Sequence, residues 1–239
     1  MEEYEKLDMD RFDGGWANPF SLVGAMLKSQ GALYRDLAAG RWAARYLASL
    51  AIVTVILAVP YGAILGMSAS ALQALLSAIK LPIIILGSAL LCLPTFYVFN
   101  AVFGSRITFW QSATAVLFIA TGAAVILIAF APIAWLFTVS TTEDGWRFLV
   151  VLHLIFTITA ACFGIRFLRV GQRYLSERLQ QGTMFHRGLM SWWCALLLVV
   201  SFQMAYTMRP IMTDGPFLTG ERGSFVTYVG EFFMGRGNE

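Results

Sequence analysis

Five stretches of the chain, residues 46–67, 81–103, 112–138, 148–165 and 189–207, contain no Asp, Glu, Lys or Arg and are apolar on every face. Each is long enough to cross a hydrocarbon core roughly 30 Å thick as an α-helix. A membrane β-barrel would instead alternate apolar and polar positions over segments of about ten residues. The pattern therefore predicts an all-α polytopic membrane protein whose core is a bundle of five transmembrane helices. The region 46–207 forms the membrane domain, between a tail at 1–45 and a terminal segment at 208–239.

The flanking pattern adds surface elements. Asn18-Pro19 supplies a helix cap followed by a first-turn proline, and Phe20, Val23, Leu27 and Tyr34 then recur near helical spacing among Lys28, Arg35 and Asp36. Residues 19–38 read as an amphipathic helix on the inner membrane surface, or as a helix docked on another protein. Residues 68–80 are small and weakly amphipathic and predict a short helix at the outer surface. The connections at 104–106 and 140–146 are brief, so the second, third and fourth spans should run up and down as neighbours. No internal repeat is evident, which argues against an inverted-repeat transporter.

Composition agrees: of 239 residues 58% are hydrophobic and only 13% charged. The 17 Lys and Arg are unevenly divided. If the N-terminus is cytoplasmic, twelve fall on the inner side and five on the outer, so the positive-inside rule places the C-terminus outside the cytoplasm of an inner membrane. The chain opens with Met1-Glu2-Glu3-Tyr4-Glu5, not with a basic segment and an apolar core, so the first span is expected to act as its own anchor. The net charge of +3 gives no reason to expect nucleic acid.

Candidate chemistry is sparse. His153 is the one ionisable group in the five stretches besides thiols and tyrosines. Ion-coupled carriers and proton relays place such groups inside the bundle. His153 reads as a structural imidazole satisfied by a carbonyl, a Thr or water, since the other histidine, His186, is predicted on the opposite side of the membrane and a metal site needs more ligands. Cys92, Cys162 and Cys194 all fall inside spans and read as small packing residues. Asp8, Asp10 and Asp13 before Gly14-Gly15 lack the ligand ladder and distal Glu of a calcium loop. No nucleophile elbow, zinc motif, phosphate loop or dinucleotide fingerprint occurs. A non-enzymatic protein without cofactor or metal is expected.

Several features concern packing and surfaces. Pro60, Pro94 and Pro132 lie within spans and predict helix kinks. Bent spans with Asn100, Gln111 and Gln203 nearby permit a cavity, although simple packing explains them as well. Ala120-x-x-x-Ala124 and Ala160-x-x-x-Gly164 allow close backbone approach. Trp110, Trp135, Trp146, Trp192 and Trp193 cluster near span ends, as interfacial anchoring expects. Arg166, Arg169 and Arg173 share one helical face just inside the membrane and are candidates for lipid-headgroup binding. After the fifth span, Pro210 and Pro216 force a turn, with Asp214 or Glu221 as possible partners of Arg209. Phe225, Tyr228, Val229, Phe232 and Phe233 then share an aromatic helical face. This segment is expected to fold back and contact a partner, through Arg209, Phe225, Tyr228, Phe232 and Phe233.

The five-span layout, the segments Leu93-Pro94-Thr95-Phe96-Tyr97 and Gly104-Ser105-Arg106-Ile107-Thr108-Phe109-Trp110-Gln111, and the Arg-Pro tail resemble a group of bacterial membrane proteins similar to the Yip-type multi-span family. The resemblance covers roughly residues 46–233 and implies a membrane-organising role. The Asp-Leu-Tyr-Gly-Pro segment of eukaryotic Yip proteins is missing, so no functional residue is transferred. Together these readings predict an accessory or structural subunit embedded in the bilayer and bound to other membrane subunits or to copies of itself. The alternative is a channel or carrier for a neutral or apolar solute.

Overall fold

The computed structural model describes residues 19–28, 43–102, 108–141, 145–179, 183–215, 217–218 and 225. Among them there are six α-helices and no strand: α1 (Pro19–Lys28), α2 (Ala43–Met67), α3 (Ala71–Val102), α4 (Phe109–Ser140), α5 (Trp146–Leu179) and α6 (Thr183–Thr207). Four apolar segments are long enough to cross a membrane: Tyr46–Met67, Ala71–Val102, Phe109–Ser140 and Trp146–Arg169. The chain is a helical membrane protein by this measure. The apolar part of α6, Ser191–Thr207, is shorter.

Helices are the only open-ended solution here, because lipid offers no partner to an unpaired backbone group. The predicted helix at 68–80 does not exist as a separate element. Ala71–Val102 is one helix of 32 residues, about 48 Å at 1.5 Å per residue. Pro82 sits inside it and is buried. The break was expected because Gln73, Ser77 and Lys80 interrupt the apolar run, but these three lie at i, i+4 and i+7 on one buried face.

α2 packs on both α3 and α4, α5 packs on α4 and α6 on α3, and α3 also meets α4 while α5 meets α6. Two hydrophobic clusters fill the bundle. At the α1 end, Leu22 and Met26 of α1, Leu50 of α2, Phe96 of α3, Phe118 of α4, Leu168 of α5 and Trp193 of α6 converge. At the opposite end, Tyr61 and Leu65 of α2 meet Leu127, Ala131 and Ala134 of α4 and Phe156 of α5. Thus α1 does not lie free on a surface. Leu22, Ala25 and Met26 are buried, and among its described side chains Leu27 and Lys28 are exposed. The predicted continuation to residue 38 lies outside the described residues.

The close backbone approach expected of Ala160-x-x-x-Gly164 is found where Gly164 of α5 meets α4. A Cβ on Gly164 would stand 2.8 Å from the Ile119 carbonyl, and Ala124 and Ala160 are buried. Among the tryptophans, Trp110, Trp135, Trp146 and Trp192 are exposed, whereas Trp193 is interior. Its ring is tilted against Phe96 at 4.6 Å between centroids, and its indole N–H donates to the Cys92 carbonyl at 3.2 Å. Pro60, Pro94 and Pro132 each stand inside a continuous helix on its exposed face. A proline so placed would curve a helix around the core, not open the interior.

Candidate functional site at the C-terminal strap

The strap end is built by two helix termini that approach without side chains between them. A Cβ on Gly62 would come within 2.5 Å of the Ser77 carbonyl oxygen and 2.9 Å of Ala78 Cα, and one on Gly66 would collide with Gln73. Gly62-x-x-x-Gly66 is therefore the contact surface of α2 on the first turns of α3. It is visible in the sequence as a small-residue pair of the same spacing as those in α4 and α5.

The start of α3 is capped by Ser70, whose hydroxyl accepts the Gln73 N–H at 3.2 Å and donates to Asp214 Oδ1 at 2.5 Å. Ser70-x-x-Gln73 has the spacing of a capping box. The equivalent Thr108-x-x-Gln111 forms one in full at the start of α4. At Ser70 the glutamine side chain turns elsewhere: Gln73 Nε2 donates to the Pro210 carbonyl at 2.8 Å.

Pro210 belongs to a strap, residues 209–215, that leaves α6 after Thr207 and crosses back over the bundle. The Arg209–Pro210 bond is cis. Three successive strap carbonyls receive side-chain donors. Lys80 Nζ donates to Pro210 at 2.6 Å beside Gln73, Ser77 Oγ donates to Ile211 at 2.6 Å, and Ser68 Oγ lies 3.2 Å from the Met212 carbonyl. An irregular segment against an apolar bundle needs such donors, because its carbonyls have no helical partners. Lys80 is fully buried, and its ammonium also faces the Phe217 ring at 5.3 Å. Gly215 permits the strap to close on itself, since a Cβ there would meet Pro210 Cγ at 2.5 Å.

Below the strap, Ile211 and Met212 pack against the cluster that contains Tyr61 and Phe156. Those two rings flank His153, which is 4% exposed. Tyr61 OH and His153 Nδ1 are 3.0 Å apart, while His153 Nε2 is buried with no hydrogen-bond partner among the described residues. On its Nδ1 side the imidazole is thus paired with a tyrosine on another helix.

The remaining sequence-predicted residues make other contacts. Arg209 stacks over Tyr206 at 3.9 Å and donates Nε–H to its carbonyl at 3.3 Å, while Asp214 receives Ser70. Phe225 stacks on Phe202 of α6 at 4.7 Å, and its N–H donates to Gln203 Oε1 at 3.1 Å, so it rests on its own chain. Tyr228, Glu221, Phe232 and Phe233 lie outside the described residues. Arg166 and Arg169 are exposed at the α1 end of α5, where Arg169 lies 3.5 Å from Ser191 of α6. Arg173 continues the same helix. No group of three or more metal-ligating side chains is found among the described residues.

Lys80, Gln73 and Ser77 escaped the sequence reading because each was assigned to a surface connection. Their common helical face was the available signal. No protein-family model, curated protein or solved structure matches this chain. The Yip-type likeness accordingly rests on the quoted segments alone.

Proposed function

We propose that the protein is a non-catalytic structural or accessory subunit of a membrane assembly. The observation that carries this reading is the fate of the polar groups that could line a solute path. Asn100 donates to the Phe96 carbonyl at 2.8 Å, Gln111 closes the capping box of α4, and Gln203 accepts the Phe225 N–H. Thr54 and Thr121 pair at 2.9 Å between α2 and α4, and Ser88 and Thr138 return to carbonyls of their own helices. Polar side chains tied to nearby backbone serve packing and offer little to a passing solute. The outward placement of all three span prolines supports the same view.

In this proposal α6 is the fifth span, the N-terminus is cytoplasmic and the C-terminus lies outside, in agreement with the division of basic residues. Its partners are lipid, other membrane subunits or further copies of the chain. Arg166, Arg169 and Arg173 meet anionic headgroups, and the segment from Arg209 through Phe225, Tyr228, Phe232 and Phe233 carries the partner contact.

The test uses the full chain extracted with its surrounding lipid by an amphipathic polymer. Particles should have a protein mass well above the 26.4 kDa of one chain, and a periplasm-active reporter fused after Glu239 should be active. Particles holding one chain, which after reconstitution make vesicles swell in a neutral solute, would overturn the proposal in favour of a channel or carrier.

A further inference from the structure

The strap differs from the rest of the bundle in how it is held. Among the described residues, backbone hydrogen bonds outside helices reach Arg209, whose N–H meets the Tyr206 carbonyl, and none is recorded for 210–215. What fixes the strap is a set of donors on α3 and the preceding turn, together with the apolar contacts of Ile211 and Met212. A segment held by a few side-chain contacts and no backbone ladder can open as a unit while the helices stay folded.

Two opposed tendencies meet at this segment. Closed, the strap gives the Lys80 ammonium, the Gln73 amide and the Ser77 hydroxyl carbonyl partners. The same closed state keeps His153 Nε2 buried with no hydrogen-bond partner among the described residues, beside Tyr61, which is 0% exposed. A buried polar atom without a partner disfavours the state that buries it, and water would satisfy it.

We infer that residues 209–215 form a lid over the His153–Tyr61 pair, latched by Lys80, Gln73 and Ser77, and that release of the latch admits water to His153. The latch donors at 73, 77 and 80 grip main-chain carbonyls, and Ser70 adds a hydrogen bond to the Asp214 carboxylate. Ile211 and Met212 plug the entrance by packing on the cluster below. The lid concerns conformational control of the bundle end and stands independently of the accessory-subunit proposal.

The experiment uses the full-length chain in lipid nanodiscs. Met212→Cys reports lid opening through its rate of labelling by a membrane-impermeant maleimide, corrected for the native cysteines, and His153 reports its own access through diethylpyrocarbonate modification in a His186→Gln background. Lys80→Met should raise both rates by about tenfold, the scale expected when one charge-assisted hydrogen bond is removed. Lys80→Arg, which keeps donors, should restore most of the protection. Gln73→Leu with Ser77→Ala should open the lid with Lys80 intact, which covers the case in which Lys80→Met fails to fold. A disulfide between Ser77→Cys and Ile211→Cys should suppress both reactions. Met212→Cys that labels in the otherwise native chain as fast as the exposed Thr213→Cys would overturn the lid. Latch variants that raise cysteine labelling without raising His153 modification would overturn its placement over the histidine.

Discussion

The two ends of the bundle are held together by different physics. At the α1 end, six helices converge on large apolar side chains, and Trp193, 1% exposed, sits between helices with a ring partner and a carbonyl acceptor. At the strap end, α2 and α3 meet through glycines and backbone, and the strap is tied down by hydroxyl, amide and ammonium donors. Within lipid there is little hydrophobic gain from helix association, so dispersion contacts and close approach carry the packing. The α1 end achieves this with shape and volume. The strap end achieves it by removing side chains, and so it can also accommodate a movable segment.

The contrast breaks most sharply at Trp193. Trp193→Ala removes a buried indole, its contact with Phe96 and its hydrogen bond to Cys92, and should cost about 3–5 kcal/mol, the usual range for a buried large aromatic. Thermal unfolding in detergent reads the loss. Trp193→Phe should recover most of it, and equal effects for the two variants would mean that the indole N–H, not the ring packing, organises this end.

Gly62→Leu attacks the other end. The new side chain would meet the Ser77 carbonyl and Ala78 Cα, which are backbone atoms and cannot rotate away. The expected cost is about 3 kcal/mol, the upper part of the overpacking range. It should be accompanied by faster proteolysis at the strap, because α3 carries the latch. Destabilisation without any change at the strap would show that the two features are not coupled.

The smallest effect is expected midway between the ends. Thr54→Val deletes the hydroxyl contact with Thr121, and interhelical hydrogen bonds of this kind contribute about 0.6 kcal/mol on average. The measured change should fall below both previous variants. A loss as large as that of Trp193→Ala would make a polar pair, not dispersion packing, the organiser of the centre.

Much of this architecture is legible along the chain. The apolar runs locate α2, α4 and the start of α5 to within a few residues, because a run that is apolar on every face in lipid has no alternative to a helix, whereas α5 runs on to Leu179, well past the run that ends at 165. Ala160-x-x-x-Gly164 correctly marks a close approach, since small residues at that spacing leave one helical face bare. The boundary at 80–81 was misplaced because hydropathy treats Lys80 and Gln73 as solvent-facing, whereas both are buried. Trp193 was placed at the interface by its neighbourhood near a span end, a pattern it shares with exposed Trp192. Which of two adjacent tryptophans points inward depends on helix rotation.

Sequence by itself determined that the chain is helical and apolar enough to belong in a membrane, because both follow from local composition and the need to satisfy the backbone in lipid. Only the tertiary structure decided where the polar groups go. Lys80 finds its acceptor on Pro210, 130 positions away, and Tyr61 finds His153 across 92. No local pattern specifies such pairs. They exist because antiparallel helices bring distant segments to one end of the bundle, where a lysine that would otherwise need water meets a carbonyl that lacks a helical donor.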